Sequence, residues 1–235
     1  NPYQKLQQRK RTWTPVQTTA GTVRDGSQET IYRALAMRHM ELPVGSFIQD
    51  ALSEIPALSA DLLRSNVKDE ENHDLALGYI ANALGVDETA EAEAKRLRDA
   101  WEAHPDHTVL KALVAERAIF FVLLPFFRFN GDAGLRTVSA DISRDEQVHV
   151  AANSLVCKEL GLEISPSLDK LRKATINWVM SPLKASTNKY LDKKFWLDAS
   201  DRLMYEGKAP ELSDTKRARM PAFFEHANPN LPQYA

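Results

Sequence analysis

Two pairs of residues in this chain have the types and the spacing to bind a metal ion: Glu70 with His73, and Glu146 with His149. On a helix, residues three apart share one face, so each pair can aim a carboxylate and an imidazole at a single target. Helical bundles present these ligand types to metals in their cores, and they also take one carboxylate from each of two further helices. One Glu-x-x-His arises by chance in many chains. Two, each on a segment that reads as helix, are a much stronger signal.

The third carboxylate is Glu116. It is the only acid between Asp106 and Asp132 and lies in the apolar run Leu113 to Phe121. Burying it costs several kcal/mol unless a cation or strong hydrogen bonds compensate. The midpoint between Glu116 and Glu146 is Gly131, inside the turn signal Asn130-Gly131-Asp132. Two antiparallel helices folded about that turn set the two acids at one height. The same construction about Pro56 sets residue 41 or 42 beside Glu70, and residue 41 is Glu. The rivals fail on reach. Glu29 lies about 18 Å further along the axis at 1.5 Å per residue, and Asp50 misses in the other direction. Four carboxylates (Glu41, Glu70, Glu116, Glu146) with two imidazoles (His73, His149) form an oxygen-rich set that suits two iron or manganese ions better than zinc or magnesium. Two divalent ions also neutralise four carboxylates, which suits a buried site.

The elements that must position these side chains can be read from periodicity and breakers. Residues 1–27 are polar, with a basic run from Lys5 to Arg11 and with Gly21 and Gly26, and read as an extended, solvated arm. A helical pattern runs from about 28 to 55, with Pro43 and Gly45 expected to kink it. A second helix covers about 58–84, and an acidic, Ala-rich surface helix about 88–103. The third core helix covers about 107–129 and the fourth about 134–160. Further helices are expected at about 167–180 and 183–206. The expectation is one domain over 1–235: arm 1–27, metal-binding core 28–160, accessory helices 161–207 and a Pro-rich tail from 208. Its fold class is all-α, a four-helix di-metal bundle with additional C-terminal helices.

Composition excludes several classes. A hydrophobic share of 43 % and a charged share of 26 % fit a soluble globular protein. A net charge of −2 offers no broad attraction for nucleic acid or an anionic membrane. The longest apolar run, Ala118 to Phe127, is too short to span a bilayer and reads as core. The single cysteine, Cys157, rules out an internal disulfide framework and reads as a small buried hydrophobe, and a cytoplasmic location is expected. His39, His104, His107 and His226 read as surface or capping residues.

The stretches Asp141-Ile142-Ser143-Arg144-Asp145-Glu146-Gln147-Val148-His149 and Glu116-Arg117-Ala118-Ile119-Phe120-Phe121 resemble the small, radical-generating subunit of class I ribonucleotide reductase, in the ferritin-like di-metal superfamily. The resemblance covers Trp13 to about residue 160. It implies a ferritin-like fold, a homodimer, and a separate large catalytic subunit as partner. It implies that Glu41, Glu70, His73, Glu116, Glu146 and His149 hold the metals, with Glu41 where most members have Asp. It also implies that Asp145 and Trp13 carry the oxidising equivalent towards the surface, and that Tyr234 passes it onward. One departure stands out: the family's radical-bearing tyrosine, four residues after the first ligand histidine, is here Leu77. Leu77 lies seven residues from Glu70 and so faces the same side to within about 20°. Tyr79 projects away and is a poor substitute. The expectation is therefore that the ions, Mn/Fe or Mn/Mn rather than Fe/Fe, hold the oxidising equivalent themselves. The alternative on the same scaffold is a stand-alone di-metal oxygenase or oxidase.

Overall fold

The computed structural model describes residues 1–212. Among these residues all regular elements are helical, and an isolated bridge between Lys184 and Asp192 is the sole β feature. The all-α expectation holds. Tyr234 and His226 lie outside the described residues.

The N-terminal arm departs from expectation. Residues Pro2–Gln7 form helix α1, because Asn1 caps it by accepting from the Tyr3 amide at 2.9 Å and Pro2 occupies the first turn. Tyr3 and Leu6, one turn apart, are buried where α1 meets α4 and α8. The basic run is not solvated throughout: Lys10 pairs with Asp69, and Arg11 with Asp141.

Helix α2 (Gln28–Ala36) passes through a 3₁₀ turn (Met37–Met40) into α3 (Glu41–Ala51). The break thus precedes Pro43 instead of falling at it. Pro43 sits in the first turn of α3, where its missing N–H is one of the amides with no partner inside the helix. Helix α4 (Ala57–Leu84) comes directly after Pro56. Helix α5 (Glu88–Ala103), expected as a surface element, buries Trp101 completely, and its Nε1 donates to Thr175 Oγ1 at 3.0 Å.

The third core helix is α6 (Thr108–Ala115), a π-helical turn (Glu116–Phe120) and α7 (Phe121–Asn130) in succession. Helix α8 (Ala133–Glu159) begins after the Asn-Gly-Asp turn. Asp132 caps it by accepting from the Leu135 amide at 2.8 Å. A side chain at Gly131 would stand 2.6 Å from the Phe127 carbonyl, so this turn admits only glycine. Helix α9 (Pro166–Met180) runs as expected, but α10 covers Lys193–Glu206 and does not start at 183. Residues 181–192 are instead a turn with a short 3₁₀ segment. Pro182 opens the turn, Asn188 caps the 3₁₀ segment and Asp192 caps α10.

Packing closes a ring around the predicted ligands. Helix α3 lies on α4, α4 on α8, α8 on α6 and α7, and α6 back on α3. Phe120, Phe126, Phe127 and Phe129 are all core, as is Leu77.

Candidate metal centre

All six predicted ligands meet inside that ring, each 2 % exposed or less. Glu41 stands at the first position of α3, where the 3₁₀ turn ends. Glu70 and His73 lie on α4, Glu116 opens the π turn, and Glu146 and His149 lie on α8. The rivals Glu29 and Asp50 are exposed at the surface.

The six form two overlapping groups. Glu41, Glu70, His73 and Glu146 bring ligand atoms within 4.8 Å of one another, and so do Glu70, Glu116, Glu146 and His149. The shared carboxylates divide their oxygens between the groups. Glu70 Oε2 lies 3.1 Å from His73 Nδ1, and its Oε1 lies 3.0 Å from His149 Nδ1. Glu146 Oε1 and Oε2 lie 3.4 Å from the same two nitrogens. Glu41 Oε2 stands 3.5 Å from His73 Nδ1, and Glu116 Oε1 stands 3.7 Å from His149 Nδ1. Each half therefore holds one histidine, one carboxylate of its own and one oxygen from each shared carboxylate.

The outward nitrogens are held too. His73 Nε2 lies 3.1 Å from Asp145 Oδ2, which also accepts from Trp13 Nε1 at 2.7 Å. His149 Nε2 lies 2.9 Å from Asp69 Oδ2, and Asp69 pairs with Lys10. Asn153 Nδ2 donates to Glu116 Oε2 at 2.7 Å.

The electrostatics are those of an acidic pocket closed to water. Burial pushes Glu41 well above the usual carboxylate range and Glu116 up to about 8. Burial acts on Glu70 in the same direction, but His149 and His73 outweigh it and bring Glu70 below that range. Burial also pulls the histidines down. Asp145, Glu146, Glu41 and Glu70 reverse this at His73, and Glu146, Asp69 and Glu116 reverse it at His149, so both end well above imidazole's usual value. Asp145 is lowered, because the His73 and Trp13 hydrogen bonds overcome its burial.

The donor set fits a metal. Glu41 Oε2, both oxygens of Glu146 and His149 Nδ1 are buried without a hydrogen-bond partner, and all face inward. Buried polar atoms are rarely left so, because each lost hydrogen bond costs on the order of 1–3 kcal/mol. A cation seated among them satisfies all four at once. These buried Glu/His groups can hold a metal ion.

Three contributors were not anticipated: Asp69, Asn153 and Lys10. Two had a visible signal. Asp69 precedes Glu70 as Asp145 precedes Glu146, so the chain carries Asp-Glu-x-x-His twice. Asn153 is seven residues beyond Glu146, two helical turns along the same face. Lys10 had none. Of the other described histidines, His107 caps α6 by accepting from the Val109 amide at 3.2 Å and His104 accepts from the Asp106 amide at 3.2 Å, whereas His39 is partly buried and pairs with Glu91 at 3.2 Å. Cys157 is a free, buried thiol, pushed up to about 12 by its burial and by Glu116. Leu77 is 4 % exposed and Tyr79 half-buried.

Compared with protein-family models, curated proteins and solved structures, the chain matches none. No helix among the described residues is long and apolar enough to cross a membrane.

Proposed function

We propose that this chain is a ferritin-like di-metal protein acting as the radical-generating small subunit of a class I ribonucleotide reductase. Four carboxylates and two imidazoles, with two carboxylates shared, suit a pair of iron or manganese ions. Such ions, when bound, supply a one-electron oxidising equivalent after reaction with an oxygen species.

The observation that carries the reading is the unbroken hydrogen-bonded line from His73 through Asp145 to the half-buried Trp13. It joins a closed site to a residue at the rim. Asp145 Oδ2 faces the indole N–H at 2.7 Å, so when an electron leaves Trp13 the indole proton has an acceptor in place. Held below the usual carboxylate range, Asp145 keeps that oxygen free to accept. Beyond Trp13 the partner is a large catalytic subunit in which ribonucleotides are reduced, and two copies of this chain pair as a homodimer. Leu77 fills the position of a radical tyrosine with a side chain that cannot be oxidised, which favours the ions, at least one of them manganese, as the store.

Turnover with a candidate large subunit tests this, comparing wild type with Trp13→Phe at equal metal content. Loss of activity in Trp13→Phe supports the route. Equal activity sinks it, and metal-dependent oxygen consumption without ribonucleotide reduction favours the stand-alone oxygenase or oxidase.

A further inference from the structure

The two Asp-Glu-x-x-His segments do more than supply ligands. Each aspartate serves the histidine of the other helix: Asp145 of α8 bonds His73 of α4, and Asp69 of α4 bonds His149 of α8. The N-terminal segment then crosses both. Trp13 donates to Asp145, and three residues earlier Lys10 pairs with Asp69. Lys10 Nζ also donates to Asn66 Oδ1 at 3.0 Å, one turn before Asp69 on α4. Between them Arg11 pairs with Asp141, one turn before Asp145 on α8. The Lys10 and Asp69 side chains are 12 % and 14 % exposed, so the ammonium is nearly enclosed against the acid.

The symmetry is in the acids and histidines, and its breaking is in what holds the acids. One aspartate takes a neutral indole N–H and the other a full positive charge. Carboxylates that accept from a metal-binding histidine fix its tautomer and ring orientation, and losing one typically costs about 10–100-fold in metal affinity.

We propose that Lys10 is a positioning residue for the His149 half of the centre, acting through Asp69, and that residues 10–13 form one strap bracing both histidines. This rests on the metal-centre reading, though not on any partner or reaction. With the ammonium in place, Asp69 keeps one oxygen on His149 Nε2, and His149 Nδ1 stays turned inward. Without it, Asp69 is free to swing towards solvent. The Glu116–His149 half weakens, while the Glu41–His73 half, braced by Trp13 through Asp145, keeps its geometry. The strap and the metals therefore stabilise one another, and the two halves fill unequally.

Anaerobic manganese titration against a competing chelator tests this on the full chain, with wild type, Lys10→Met and Lys10→Arg. Lys10→Met, which keeps the aliphatic stem, is expected to lose about 10–100-fold in affinity for one of the two equivalents, with the other unchanged. Electron paramagnetic resonance then shows the uncoupled signal of a single manganese ion where wild type shows a coupled pair. Lys10→Arg recovers most of the loss, and hydrogen exchange at residues 8–13 slows when wild type is loaded. Asp69→Asn reproduces the one-equivalent loss should Lys10→Met fold poorly. Two equivalents at wild-type affinity in Lys10→Met, or equal weakening of both, overturns the assignment. A wild-type protein that takes up no metal overturns the metal-centre reading beneath it.

Discussion

Metal loading should expel three to four protons from this protein at neutral pH. In the metal-free form His73 and His149 are held well above their usual value by the acids around them, and Glu116 is pushed up to about 8 by burial. At pH 7 a group titrating near 8 is about 90 % protonated. These three groups give close to three protons, and Glu41, raised by burial, supplies up to one more. Charge leads to the same total: four carboxylates need four positive charges for a neutral pocket, and either four protons or two divalent ions provide them. Metal ligands must be deprotonated, so the protons leave as the ions enter. Manganese titrated anaerobically into weakly buffered protein, with an indicator dye or by calorimetry in two buffers of different ionisation enthalpy, counts them directly. Fewer than about two protons released in all, over both ions, would refute the reasoning, because the site would then already stand charged. The same protons are linked to the stability of the metal-free fold. His73, His149, Glu41 and Glu116 bind protons more tightly when folded, so the stability they add is full below their unfolded values and is lost as pH rises through their folded ones. Melting temperature of the metal-free protein should fall between about pH 6.5 and 8, and that of the loaded protein should not. Glu70 and Asp145 are shifted the other way, and their contribution disappears only under acid, below their usual carboxylate values.

Other outcomes can be checked separately. Tyr79→Phe should leave turnover and the paramagnetic spectrum of the oxygen-activated protein unchanged, whereas a tyrosyl doublet lost in that variant would place the oxidant on Tyr79. Asn153→Ala removes the donor to Glu116 Oε2 and should weaken metal binding without unfolding the chain, as read by equilibrium dialysis and circular dichroism. Trp101→Ala should destabilise the fold by about 3–5 kcal/mol in chemical denaturation, since it empties a fully buried indole site and removes the donor to Thr175 Oγ1. Gly45→Val should lower metal content more than Gly45→Ala, because a Cβ there already lies 3.4 Å from Glu70 Cβ.

Helical period and antiparallel pairing were the parts of the structure legible in the sequence. Glu116 was found as a lone acid in an apolar run, and Glu41 by counting back from Pro56. Both counts succeed because antiparallel neighbours lose height at the same rate along the axis. The π turn at Glu116–Phe120 was invisible for the opposite reason. From Val109 to Ala115 every residue is buried, so hydrophobicity has no phase there and cannot report an extra residue in the turn. The inward face of α5 was invisible because one large side chain, Trp101, among charges carries no period at all. Lys10 was illegible because a contact across 59 positions, made by a segment with no regular structure, leaves no local pattern.

The crossed aspartates have a consequence for assembly. Neither α4 nor α8 can furnish a finished half-site alone, since each histidine depends on an acid from the other helix. A slip of one residue between the two helices turns an aspartate about 100° from its histidine and breaks both links together. Metal uptake at this centre would therefore proofread the pairing of these helices: a chain with α4 and α8 misaligned has the ligands but not the centre, and only the correctly seated fold would be locked in by bound ions.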